Sequence, residues 1–455
     1  MAKKNDPIVA QASSSGKGGI GVVRVSGDAG DIDVIERALH GAKPLIARRA
    51  TLRRLVDQAG NLIDRVILIR FSGPASYTGE DVLEIQAHGG PAVQRMIIDR
   101  CLEVGRSVRL RMARPGEFTE RAFLNGKIDL AQAEAIADLI ETTSEQAARA
   151  AARSMQGEFS MRVNALNSSA VELRAQIEAS LDFPEEEIEF IENAGVRDGL
   201  KSLLASLESV MAAATRGKVL RDGLSVVLCG APNVGKSSLM NALAGDDVAI
   251  VTDIAGTTRD RIEYEINLDG LPVKLIDTAG LRATEDPIEK IGIERTLDAI
   301  DRADVVLRLT EAAGSGAMDE DVAYRMAKTH FREGVTILDV INKADLGEPE
   351  NVPEGAFVLS ARTHEGVERL CARLKGIAGV AEGAEGEFMA RSRHLACLAR
   401  AREHAAGALE GLSVMPLEVV AEELRLAGNA LGEIVGQTLP DDLLGIIFSK
   451  FCIGK

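Results

Sequence analysis

The run GAPNVGKSS at 230–238 fits the spacing G-x-x-x-x-G-K-[ST]. Glycines at 230 and 235 allow backbone turns that other residues resist. Successive N–H groups then face inward around an anion, and the start of the following helix adds positive potential. Lys236 brings a cation to the β- and γ-phosphates, and the Ser237 hydroxyl a ligand for Mg2+. Alone, the pattern indicates a nucleoside triphosphate. Three later pieces narrow it. DTAG (277–280) offers Asp277 to the Mg2+ shell and the Gly280 amide to a γ-phosphate. NKAD (342–345) ends in Asp345, whose two carboxylate oxygens match the N1–H and N2–H2 donors of guanine. Ser360 and Ala361 complete a base pocket. Between the first two pieces, GTTRD (256–260) supplies Thr258 as a second hydroxyl for Mg2+, held only while γ-phosphate is present, which makes the stretch a switch. The sequence therefore predicts a GTP site of Asn233, Val234, Gly235, Lys236, Ser237, Ser238, Thr252, Thr257, Thr258, Asp277, Thr278, Ala279, Gly280, Asn342, Lys343, Asp345, Ser360 and Ala361.

Many GTPases place a glutamine after DTAG to orient water. Here the residue is Leu281, which cannot. Catalysis needs another positioning group and another positive charge. Asn233 together with the oxygens of VTDIAGTT (251–258) can enclose a monovalent cation.

These motifs need strand ends to hold them. LSVVLCG, VKLID, VTILDVIN and FVLSA read as strands, and ADVVLRLT as a further one, with helical stretches between. That alternation predicts βαβ units and a mostly parallel sheet. Ahead of it, IVAQA, GVVRVSG, RVILIRF and DVLEIQAHGG read as short strands and PAVQRMIIDRCLEVG as a helix, a compact α+β domain. From about 126 the sequence is Ala-rich, nearly free of Gly and Pro, and amphipathic, as helices packed in a bundle require. Helical sequence returns after about 380. The expected domains are 1–125 (α+β), 126–222 and 380–455 (one all-α domain in two parts) and 223–379 (an inserted α/β domain of Ras-like P-loop type).

The 455 residues are 46% hydrophobic and 27% charged, and no apolar run is long enough to span a membrane. The amino terminus lacks a secretory h-region. Five cysteines, at 101, 229, 371, 397 and 452, form no CxxC pair, which disfavours a disulfide framework or zinc site and suits a reducing, cytoplasmic setting. The net charge of −16 repels nucleic acid at long range, so any RNA contact needs a local basic patch or a basic partner. The basic runs at Arg48, Arg49, Arg53 and Arg54 and at Arg106, Arg109, Arg111 and Arg114 read as solvated strand edges. His88 reads as structural.

The chain resembles the tRNA-modification GTPase MnmE (TrmE) family over essentially its whole length. The likeness lies in IVAQASSSGKGGIGVVRVSG, YTGEDVLEIQAHGG, RPGEFTERAFLNGKIDLAQAEAIADLI, LDFPEEEIEF, GAPNVGKSSLMNAL, AIVTDIAGTTRD, DTAGLR, IEKIGIERT and the terminal FCIGK. It departs at Ser13–Ser15, where members usually have prolines, which predicts a looser loop, and at Lys17, where many have arginine. The resemblance implies an amino-terminal domain that binds 5-formyl- or 5,10-methylene-tetrahydrofolate through Arg24, Glu84, Lys127 and Lys455 and forms a homodimer. It implies K+ on Asn233, Thr252, Ile254 and Thr257, with Glu289 orienting the hydrolytic water. GTP hydrolysis would then drive dimerisation of the GTPase domains and conformational change. It implies an MnmG (GidA)-type FAD protein as partner in a heterotetramer or larger complex, and tRNA as substrate, modified at C5 of the wobble uridine. Cys452 and Lys455 fall on the terminal motif, expected to reach back to the folate pocket, with Cys452 as nucleophile or acid. The competing reading is a non-catalytic switch that binds a ribosomal or stress partner, with the amino-terminal domain serving only for dimerisation. It predicts a basic KH-like module beside the GTPase, and none is visible in the sequence.

Overall fold

The computed structural model describes residues 6–41, 43–181, 195–244, 263–278, 297–312, 322–332, 334–349, 351–379, 388–438, 441–449, 451 and 454. The chain forms two units, residues 1–137 with 429–455, and residues 138–428.

The first unit holds a six-stranded sheet in the order β3-β4-β5-β2-β1-β6. Its strands are β1 (Ile8–Gln11), β2 (Gly18–Gly27), β3 (Thr51–Val56), β4 (Leu62–Phe71), β5 (Asp81–Gly89) and β6 (Arg111–Met112). All neighbours are antiparallel except β1 and β6. Alternation along β2 sends Val23 and Val25 into a core with Ile32 and Ile35 of α1 (Ala29–His40) and Ile97 of α2 (Pro91–Val104). Arg24 and Ser26 therefore point to the opposite face. There a smaller core of Ile8, Ala10, Ala113 and Phe118 lies under α3 (Glu117–Leu124). The amino end of α4 (Leu130–Glu141) packs Leu130 and Ala133 against Ile447 and Phe448 of α13 (Asp441–Ser449), with Phe451 beyond. The chain then passes close to two backbones. A Cβ on Gly116, at φ 68°, would sit 2.5 Å from the Phe448 carbonyl oxygen, and one on Gly454, at φ 97°, 1.9 Å from that of Gln11. Both positions exclude a side chain, so Gly454 lies directly on the end of β1.

The second unit contains the helices α5 (Glu145–Met155), α6 (Glu158–Leu181), α7 (Val196–Asp222), α11 (Ser392–Gly411) and residues 417–428 of α12 (Leu417–Val435). Ser144 caps α5 by accepting from the Ala147 amide at 3.2 Å. Into this bundle is set a six-stranded sheet, β12-β11-β10-β7-β9-β8. Its strands are β7 (Leu224–Cys229), β8 (Glu263–Leu268), β9 (Leu271–Asp277), β10 (Val305–Glu311), β11 (Thr336–Asn342) and β12 (Phe357–Val358), joined with α8 (Lys236–Ala244), α9 (Val322–Lys328) and α10 (Val367–Ala378). Every pairing is parallel except the β8–β9 hairpin. The architecture is the multidomain one that the periodicities predict. Strands β3, β6 and β8 and helix α1 are additions to it.

The thread that enters this sheet leaves α7 directly, and the thread that leaves it is gripped. Phe388 stacks on Phe159 at 4.6 Å between ring centroids, with the Arg162 guanidinium 5.1 Å from its own ring. The Ser154 hydroxyl donates to the Met389 carbonyl at 3.2 Å and accepts from its amide at 2.8 Å. Gly217 lies so near Phe388 that a Cβ would meet its carbonyl oxygen at 1.9 Å. Buried Asp138 accepts from Arg221, at the end of α7, at 2.8 Å, and from Arg391, at the start of α11, at 2.7 Å.

Candidate functional site

The parallel register brings the carboxyl ends of β7, β9, β11 and β12 to one edge of the second unit's sheet, where open α/β sheets take their ligands. The loop after β7 starts with Gly230, whose Cβ would meet the Leu309 carbonyl oxygen at 2.6 Å, and continues through Asn233 at φ 69° to Gly235 at φ 95°. A Cβ on Gly235 would stand 2.3 Å from the Asn342 amide nitrogen. Ser237 and Ser238 are exposed on the first turn of α8, while Lys236 is 8% exposed. Its ammonium donates to the carbonyls of Gly230 at 2.6 Å and Ala231 at 3.2 Å. A cation held inside the loop by neutral acceptors is a receptor for an anion.

Asn342, 2% exposed, ties three motifs together. Its side chain donates to the Val234 carbonyl at 2.9 Å and accepts from the Ala361 amide at 3.0 Å. Thr278, fully buried, donates to the Leu228 carbonyl at 2.7 Å and so fixes the end of β9 to β7, next to Asp277. At the base side, Ser360 donates to one oxygen of Asp345 at 2.7 Å and accepts from the Thr363 amide at 3.2 Å. The Ser360 hydrogen bond, more than the fields of Arg362 and Lys343, holds the Asp345 carboxyl below its usual range. Asp345 is thus an anionic acceptor with a fixed orientation, as two N–H donors on a purine edge require. Lys343 adopts φ 64° and places its ammonium 2.6 Å from Glu311, a residue no motif marks. Of the expected site residues, Thr252, Ile254, Thr257, Thr258, Ala279, Gly280 and Glu289 lie outside the described residues.

In the first unit, Arg24 and Glu84 are direct cross-strand partners on β2 and β5. The Arg24 Nε and Nη2 atoms donate to one Glu84 oxygen at 3.0 and 2.7 Å. The Arg24 guanidinium stands 5.8 Å from the Tyr77 ring, whose hydroxyl bonds Thr119 at 2.8 Å. Lys127 donates to the Pro74 carbonyl at 2.9 Å, and its stem lies 3.3 Å from where a Gly79 Cβ would be. The loop 73–80 therefore has Arg24 at one point and Lys127 at another. Beside it runs a charged network. Glu80 accepts from Ser26 at 2.7 Å and from Arg121 at 2.9 Å, and Arg121 reaches Glu117 at 3.2 Å. Burial alone would raise the Glu117 carboxyl, but two Arg111 hydrogen bonds, the Arg114 amide and the Arg111 and Arg121 charges outweigh it and hold it at about 2. Arg111 and Arg114 are thus paired side chains, Arg114 also with Glu120 at 2.9 Å. His88 pairs with Asp64 at 2.9 Å, while its ring is 77% exposed. The Ser13 hydroxyl accepts from the Val22 amide at 3.1 Å, so that serine ties its loop to β2. Cys452 and Lys455 lie outside the described residues. Cys101 is fully buried, which pushes its thiol up to about 12 and leaves it inert.

These features define a class, a P-loop GTPase of Ras-like topology set within a helical domain and preceded by an α+β domain. Family models name it further: "GTP-binding protein TrmE N-terminus" matches residues 7–127 and "MnmE helical domain" matches 130–452. The chain belongs to the tRNA modification GTPase MnmE family and is a GTPase of that family. It is 52% identical over 462 residues to the tRNA modification GTPase MnmE of Ralstonia nicotianae, covering 99% of this chain and 96% of that one. With the protein of the same name from Burkholderia cenocepacia it shares 51% over 470 residues, the full length of both. Among solved structures it is similar to the FeoB G-domain of Methanococcus jannaschii, with 26% identity and a TM-score of 0.26 over 34% of this chain and 98% of that one. Among the described residues no helix is long and apolar enough to cross a membrane.

Proposed function

We propose that this chain hydrolyses GTP to drive modification of the wobble uridine of certain tRNAs at C5. The observation that carries the nucleotide half is the buried Lys236 ammonium on two loop carbonyls, beside exposed Ser237 and an oriented Asp345. In this reading Asn233 to Ser238, Thr252, Thr257, Thr258, Asp277, Thr278, Ala279 and Gly280 hold phosphates. Ser237 and Thr258 hold Mg2+, which supplies charge neutralisation at the phosphates. Lys343, Asp345, Ser360 and Ala361 hold guanine. Asn342 contributes by joining the loops. Asn233, exposed and in the left-handed conformation, offers a side-chain oxygen to K+ with Thr252, Ile254 and Thr257, and Glu289 orients water in place of Leu281. GTP turnover in KCl should exceed that in NaCl manyfold; equal rates would remove the cation.

The one-carbon half rests on Arg24, Glu84 and Lys127 around loop 73–80. A pterin offers donors that suit Glu84, and a glutamate tail offers carboxylates that suit Arg24 and Lys127. The contact of Gly454 with Gln11 supports the tail's part, because Ala10, the next residue of β1, pairs with Arg24. Cys452 and Lys455 flank that contact in sequence. Residues 1–125 then form a folate-binding and dimerisation domain, 223–379 the GTPase domain, and 126–222 with 380–455 the helical domain. An MnmG-type FAD protein supplies the redox chemistry and, given the net charge of −16, most of the tRNA affinity. Nucleoside mass spectrometry of tRNA from a deletion strain tests the whole. Loss of the modified wobble uridine is expected, and an unchanged profile would overturn the reading.

A further inference from the structure

Lys343 and Asp345 are two residues apart at the end of β11, and opposite charges at that spacing invite pairing. A lysine docked on Asp345 would occupy the carboxylate oxygens that the guanine edge needs. The structure shows the lysine held elsewhere. Glu311 ends β10 directly opposite Asn342, and the Ala312 amide donates to the Asn342 carbonyl at 2.9 Å, so the two strand ends are fixed together. The left-handed turn at Lys343 is set by the Ala344 amide, bonded to the Leu359 carbonyl at 3.2 Å. Its ammonium meets Glu311 at 2.6 Å. Ser360 meanwhile holds one Asp345 oxygen at 2.7 Å, and Arg362, 3.7 Å from the other, is 81% exposed and screened by water.

We infer that Glu311 is a specificity-determining positioning residue: by holding Lys343 it keeps the Asp345 carboxylate open to guanine. The inference rests on the nucleotide reading of this site. A loose four-carbon ammonium samples many rotamers, and removing its partner frees it to reach the nearest alternative anion.

The test is equilibrium titration of the full chain with fluorescent GDP and competition by IDP, which lacks the exocyclic amine. Glu311→Ala is expected to weaken GDP binding about five- to tenfold and to shrink the preference for GDP over IDP, with Glu311→Gln between it and the parent. In a Lys343→Ala background, Glu311→Ala should have no further effect, since no lysine remains to cover Asp345. A Glu311→Ala protein with GDP affinity and GDP/IDP ratio within twofold of the parent would overturn the inference, as would full additivity with Lys343→Ala. Asp345→Asn separates the two levels. If it leaves GDP binding intact, the site reading itself fails and the inference with it; if it abolishes the guanine preference while Glu311→Ala does nothing, only the inference fails.

Discussion

At the nucleotide loops the Lys236 ammonium rests on two neutral carbonyls, whereas in the amino-terminal unit Arg24 is already paired with Glu84, and Arg121 and Arg111 with Glu80 and Glu117. The first arrangement has charge to spare for an anion. The second is balanced, so a ligand there must exchange partners with an existing ion pair. The nucleotide site should therefore gain most of its binding energy from new charge interactions. The amino-terminal site should depend more on shape and on hydrogen bonds that replace old ones.

The largest break in this contrast is Lys236→Ala. It should lower kcat/KM for GTP at least a thousandfold, about 4 kcal/mol, while folate binding measured by calorimetry stays unchanged. Next is Asn342→Ala, which leaves the Val234 carbonyl and the Ala361 amide unpartnered inside the loops. Urea unfolding should show a loss of about 2–4 kcal/mol, with GDP affinity falling tenfold or more. Smaller is Glu117. Its folded carboxyl lies at about 2 against an ordinary 4.5, so its contribution is present above pH 4.5 and is lost as pH falls towards 2. At about 1.36 kcal/mol per pH unit the difference is about 3.4 kcal/mol, which solvent screening of the arginine charges reduces to about 2 kcal/mol. Glu117→Gln should lose it at neutral pH and flatten the acid limb of the stability curve. Smallest in stability is Gly454→Ala, which displaces the tail from Gln11 at less than about 1 kcal/mol. Modified uridine should drop severalfold with GTP turnover intact.

The contrast also explains what could be read from the sequence. The nucleotide loops follow strand ends, so their spacing is local, and a motif plus an apolar run locates each of them. Glu311 was not legible, because what ties it to Lys343 is a parallel register between β10 and β11, 32 positions apart. Arg24 and Glu84, 60 positions apart, were found only through family likeness, since nothing in either strand announces its partner. Strand β3 and helix α1 escaped for another reason. Arg53 and Arg54 interrupt the alternation of β3, which is an edge strand and tolerates them. The helices from 130 to 181 were legible as helix, but their breaks near 142–144 and 156–157 depend on Ser144 as a cap and Gly157 as a turn, signals easily lost in an Ala-rich run.

The grip on the exit thread of the inserted sheet has a mechanical consequence. Phe388, Met389 and Arg391 are each seated on side chains of the helical bundle, and Arg221 at the entry shares the Asp138 carboxylate with Arg391. The entry from α7 and residues 388–391 of the return are thus both made fast to the bundle. A pull on the entry at Arg221 is therefore shared with Arg391 through Asp138, as two ropes made fast to one cleat share a load.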